Sequence, residues 1–108
     1  MAKSKGTTSV SQIAMLGELH DKIFQKANAE GDRTLTEYEL SRVYALNFTI
    51  ANTEATSRKD VAIQAKIAAE IGECHCDGQT PHQIWVESLA AAMHSISAIL
   101  SPAPRRRA

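Results

Sequence analysis

The sequence predicts an all-α protein, a three- to four-helix antiparallel bundle, and three observations carry that reading. Apolar residues recur at three- and four-residue spacing through four segments, and no stretch alternates with period two for the length of a strand. Each segment opens on a Ser or Thr followed three residues later by Gln, Glu or Asp. In such a box the hydroxyl accepts from a free backbone N–H and the later side chain reaches back to the cap's own N–H. Glycine, at 5, and proline, at 3, are too scarce for the many turns of a sandwich or barrel.

The first helix is expected over 9–29, opened by Ser9-Val-Ser-Gln12 and striped by Val10, Ile13, Leu16, Leu19, Ile23 and Ala27. Gly31-Asp-Arg33 stops it. The second is expected over 36–54, from the box Thr36-Glu-Tyr-Glu39, with Leu40, Val43, Leu46 or Asn47, and Ile50 inward. Tyr44, Phe48 and Ala51 widen that stripe. The third is expected over 57–72 from Ser57-Arg-Lys-Asp60, where aspartate is a short substitute for glutamate; Val61, Gln64 or Ala65, Ala68 and Ile71 follow, with Ile63 and Ile67 alongside. Nothing between Thr53 and Ser57 is a strong breaker, so the second and third helices also read as one bent rod. Gly72 through Gly78 is the longest loop. The fourth is expected over 80–100 from Thr80-Pro-His-Gln83, with Pro81 at the first helical position, where its missing donor costs nothing. It is the most apolar: Trp85, Leu89, Ala92, Ile96 and Ile99 share one face, with Val86, Met93 and Leu100 beside it. So wide a stripe marks a central helix, or one covered by another subunit. Short connections make sequential helices antiparallel neighbours. Residues 1–8 read as a flexible N-terminus, 9–100 as one domain, and 101–108 as a disordered basic tail, since Ser101-Pro-Ala-Pro-Arg-Arg-Arg-Ala108 cannot continue a helix.

A chain of 108 residues suffices for one domain. Its 12 basic residues equal its 12 acidic ones, whereas a protein built around phosphate backbones carries a basic excess. The fourth helix has no Lys or Arg between Pro81 and Leu100, so it cannot serve as a recognition helix; the third has Arg58, Lys59 and Lys66 but also Asp60, Glu70 and Glu73. Arg105-Arg-Arg107 is too short a charge run for stable attachment. A nucleic-acid-linked regulator is therefore only an alternative. The longest apolar run, Leu89 to Met93, and shorter ones such as Ile84 to Val86 fall far short of the roughly 20 residues that cross a bilayer. No apolar stretch follows the basic start, and two cysteines one residue apart make a poor disulfide framework, so a cytoplasmic protein with reduced thiols is expected.

The run Asn52-Thr-Glu-Ala-Thr-Ser57, leading into Asp60-Val-Ala-Ile-Gln-Ala-Lys66 and a final amphipathic helix after a loop, resembles small uncharacterised helical proteins of bacteria, some in prophage-like settings. The resemblance spans Thr36 to Leu100 and rests on the Ala-Thr-Ser cap, Asp60 and Lys66. It implies a helical bundle and brings no activity with it.

Two clusters carry metal-ligating residue types. Cys74-His75-Cys76-Asp77-Gly78, with His82 on the first turn of the fourth helix, offers the thiolate and imidazole ligands of zinc or copper, and Gly78 would help the loop fold around an ion. Against that, structural zinc sites space their cysteines more widely, and a second pair is missing. The same cysteines also permit a redox disulfide or a plain reduced loop. Asn28 to Glu39 resembles the calcium loop of the EF-hand family, with Asn28, Glu30, Asp32, Thr34 (by its carbonyl), Thr36 and Glu39 on ligand positions. Yet Arg33 stands where that loop needs glycine, and no second hand follows. A glycine stop and a threonine cap explain the same residues.

The sequence has no Glu-x-x-His for a di-metal bundle, no nucleophile elbow and no phosphate-cradling glycine loop. His20 and His94 read as surface or boundary residues. These features favour a non-enzymatic interaction or structural module. The expected partner is a second copy or another protein. The expected interface is the fourth helix, through Trp85, Val86, Leu89, Met93, Ile96 and Leu100. A metal- or redox-responsive protein using the Cys74-His75-Cys76 stretch is the first alternative.

Overall fold

A computed structural model describes residues 10–76 and 82–101. It contains four helices: α1 (Gln12–Ala29), α2 (Glu37–Ala51), α3 (Arg58–His75) and α4 (Gln83–Leu100). The described residues form no strand. The expectations for 1–8 and for the tail beyond Ser101 lie outside the described residues.

The caps explain most boundaries. Ser11, rather than Ser9, caps α1, accepting from the Ala14 N–H at 3.0 Å. Thr36 and Glu39 close a full box at the start of α2: Thr36 Oγ1 accepts from the Glu39 N–H, and a Glu39 carboxylate oxygen accepts from the Thr36 N–H. Ser57 caps α3 as expected. Asp60 is too short to reach back to its own cap; it accepts instead from the N–H and hydroxyl of Thr56 and from the Ser11 hydroxyl. α4 starts at Gln83, with His82 as its N-cap and no side-chain cap bond, and Gln83 turns to Glu87. Thr80 and Pro81 lie outside the described residues. α2 and α3 are separate helices, because Asn52 to Ser57 leave helical geometry and Ala55 is buried between them.

Cross-links fix the helix directions. Ser11 meets Asp60 and His20 meets Glu70, so α1 and α3 run the same way. Asn47 meets Glu70 and Gln64 donates to the carbonyls of Ile50 and Thr53, so α2 runs against α3. Asn52 meets Ser88 and Ala55 meets Ser95, so α4 runs with α2. The order is up, down, up, down. α1 packs on α2 and α3, α4 packs on the same pair, and α1 and α4 do not touch among the described residues. α2 and α3 are thus the middle of a zigzag strip, with α1 and α4 at its two edges.

The core gathers Ile13, Ile50, Ala51, Val61, Ile67, Ala68, Ile71 and Ala92. On α1 the buried series is Ile13, Gly17, His20, Ile23 and Ala27, which leaves Leu19 exposed, against the expected stripe. Gly17 is there for space: a Cβ would stand 3.0 Å from Ile63 Cγ2 of α3. Leu40 and Phe48 of α2 are likewise exposed, while Asn47 and Gln64 take the buried positions that Leu46 and Ala65 contested.

Candidate functional site

The candidate site is the outer side of α4. The most apolar helix of the sequence buries only Ser88 and Ala92. Trp85, Leu89, Ile96 and Ile99 lie half-buried against the core. Ile84, Val86, Met93 and Leu100 are exposed, Met93 by 57%. Polar anchors fasten the inner side beside these bulky residues: Ser88 Oγ accepts from Asn52 Nδ2 at 2.9 Å and donates to the Ile84 carbonyl at 2.8 Å, and Ser95 Oγ accepts from the Ala55 N–H at 2.8 Å. The six interface residues expected from sequence therefore divide: Val86, Met93 and Leu100 face out, while Trp85, Leu89 and Ile96 share the inner border. Fully burying one such aliphatic side chain contributes about 1.5–3 kcal/mol, so several left in water favour association.

Trp85 also accounts for part of the Cys-His-Cys stretch. His75 stacks flat on its indole, with centroids 3.9 Å apart and planes 4° apart, and Tyr44 and Phe48 meet the indole edge-on. Cys74 and His75 are not loop residues: they form the last turn of α3, which runs three residues past its expected end. Side chains two positions apart at a helix end do not converge. Cys74 is exposed and Cys76 packs against the core. Partial desolvation and the nearby Glu70 and Glu73 carboxylates push the Cys74 thiol up, disfavouring the thiolate a metal needs. Burial pushes the His75 imidazole down, and its Nε2 is buried without a partner. His82 is exposed at the start of α4, while Asp77 and Gly78 lie outside the described residues. Among the described residues no three His, Cys, Asp or Glu side chains are grouped to hold a metal ion.

In the calcium-like loop the cation is the protein's own. Arg33 Nε donates to Glu30 at 2.6 Å, and its Nη1 and Nη2 donate to the two Glu39 oxygens at 2.8 and 3.1 Å. This fork, with the Thr36 N–H behind it, holds the Glu39 carboxyl down at about 2. Arg33 Nη1 also donates to the Thr34 carbonyl at 3.1 Å, so three of the six ligand positions are engaged by a guanidinium. Asn28 and Thr34 are exposed, Thr36 is the α2 cap, and the turn is made by Gly31 at φ 83° and Asp32 at φ 55°. The segment is built as a helix stop and a cap.

The side chain that sequence reasoning misplaced is His20. It is 2% exposed, with Nε2 at 3.0 and 3.1 Å from the two Glu70 oxygens and Nδ1 at 3.0 Å from Asp21. Asn47 Nδ2 also donates to Glu70, and Lys66 reaches Asp21. Burial pushes the imidazole down, but the hydrogen bonds and charges of Glu70 and Asp21 outweigh it and leave it raised. Burial likewise pushes Glu70 up, and His20 and Asn47 reverse that. The cluster ties α1, α2 and α3 together at the strip's far side from α4.

No described helix is long and apolar enough to cross a membrane. Comparison with protein-family models, curated proteins and solved structures finds no match.

Proposed function

We propose that this chain is a non-enzymatic interaction module of the cytoplasm that associates with a second copy of itself through the outer side of α4. The observation that carries the reading is the inversion on α4: the helix richest in apolar residues has the fewest buried side chains among the described residues. Zero net charge removes long-range repulsion between copies, and α4 itself carries one carboxylate, Glu87, and no Lys or Arg. The buried ionisable side chains suit a structural use, since His20, Asp60 and Glu39 each have protein hydrogen-bond partners that tie one element to another or cap a helix. Two unpaired cysteines suit a reducing compartment.

Sedimentation equilibrium from micromolar to millimolar protein tests this reading. The expected result is a mass that rises with concentration and, for Met93→Glu, stays that of one chain with unchanged helicity. A wild-type chain that remains monomeric throughout contradicts it.

A further inference from the structure

We propose that the two copies pair their α4 helices antiparallel and end to end, Val86 of each facing Ser97 of the other. This rests on the reading of α4 as a self-association face and adds the geometry of the pair.

The exposed positions Val86, Ala90, Met93, Ser97 and Leu100 follow one another at spacings of four, three, four and three. That is a heptad seam, in which large residues occupy one position (Val86, Met93, Leu100) and small ones the other (Ala90, Ser97). In a parallel, in-register pair each layer repeats one position: Ala90 on Ala90, then Met93 on Met93, then Ser97 on Ser97. Voids would alternate with crowding, and both are costly in a close-packed contact. An antiparallel pair mixes the two positions, so each of the four central layers sets a large residue against a small one, and Leu100 falls against a glutamine at the two ends. With the helices fully overlapped, Gln83 lies opposite the second copy's Leu100. The same register sets Val86 against the second copy's Ser97 and Met93 against its Ala90. The small residues become the holes for the large ones, and the seam is its own complement.

Electrostatics agree. Antiparallel helices set each positive N-terminal end beside a negative C-terminal end, whereas a parallel pair brings like ends together, along with the two Glu87 carboxylates. Nothing else on α4 except His94 can carry charge, so no ion pair opposes this arrangement. A seam of 18 residues is only about 27 Å long and falls short of the roughly 800 Å² per partner of standard interfaces, so the pair is weak and concentration-dependent.

Cysteine cross-linking reads the geometry directly, in a chain whose Cys74 and Cys76 are changed to Ser. Val86 and Ser97 are exposed, so neither Val86→Cys nor Ser97→Cys disturbs the core, which circular dichroism checks. In the antiparallel register each introduced thiol lies eleven residues, about 16 Å along the axis, from its own counterpart, beyond the reach of a disulfide. The two variants mixed under mild oxidation are expected to give the 86–97 heterodimer, while each alone gives none. Homodimer cross-links from each variant alone would overturn the geometry in favour of a parallel pair. Concentration-dependent mass without any cross-link would also overturn it, leaving self-association standing. A monomer at all concentrations would remove both the geometry and the reading beneath it.

Discussion

α3 and α4 are both 18 residues long, and they have opposite relations between composition and burial. α3 carries Arg58, Lys59, Asp60, Lys66, Glu70 and Glu73, yet buries Asp60, Val61, Gln64, Ile67, Ala68 and Ile71. α4 carries one carboxylate and no Lys or Arg, yet buries two small side chains. Position in the strip makes the difference. α3 touches the other three helices, and α4, at an edge, touches two. A central helix can afford polar positions because its neighbours supply partners; at the edge, Ile84, Val86, Met93 and Leu100 of α4 stay exposed among the described residues.

Truncation should sharpen this contrast most. Ile71→Ala opens a cavity at a residue with 0% exposure and is expected to cost about 2–5 kcal/mol in denaturant unfolding. Met93→Ala on the outer side of α4 is expected to stay within about 0.5 kcal/mol when unfolding is followed at monomeric dilution. Equal costs at the two sites would break the comparison.

Next is the polar fastening of α3 to α1. His20→Ala leaves Glu70 without its main partner, and because Glu70 remains partly exposed the expected loss is about 2–3 kcal/mol. The pH dependence has a definite sign. His20 is raised above its ordinary 6.5, so its contribution is complete below 6.5 and is lost as pH rises through the raised value. Glu70 and Asp21 are held below 4.5 and 3.8, so theirs are complete above 4.5 and are lost as pH falls through the lowered values. Thermal melting is therefore expected to peak between about pH 4.5 and 6.5, and His20→Gln should flatten the alkaline side.

The smallest contrast is at the caps. Ser57→Ala is expected to cost about 1 kcal/mol, since Ser57 accepts from the Asp60 N–H. His82→Ala at the start of α4 removes no cap bond and is expected to change stability by less than about 0.5 kcal/mol. Urea titrations of the pair decide it.

Period and capping chemistry made the four helices legible, because Thr36 with Glu39 and Ser57 with Asp60 are local interactions that a sequence displays directly. The face each helix turns inward was less legible. On α1, Leu19 outranks His20 in hydrophobicity, but His20 has Glu70 waiting fifty residues away, and the close approach of Ile63 at Gly17 sets the same rotation. The signal was present as a series, Ile13, Gly17, His20, Ile23 and Ala27, once a glycine and a histidine are admitted to an inward stripe. The metal-like and calcium-like clusters misled for a related reason. Spacing shows which residues are near in sequence, and only the fold shows that Arg33 occupies the carboxylates and that α3 continues through Cys74 and His75. The wide apolar stripe of α4 left two readings open, a central helix or one covered by another subunit, and among the described residues α4 lies at an edge of the strip.

Hydrogen exchange along α3 and α4, measured at low and at high protein concentration, decides whether the outer side of α4 is covered by a second copy. α3 amides are expected to be the better protected at low concentration and not to change, while α4 amides gain protection as concentration rises. Protection of α4 that already equals that of α3 at low concentration, and does not respond to concentration, would contradict that covering.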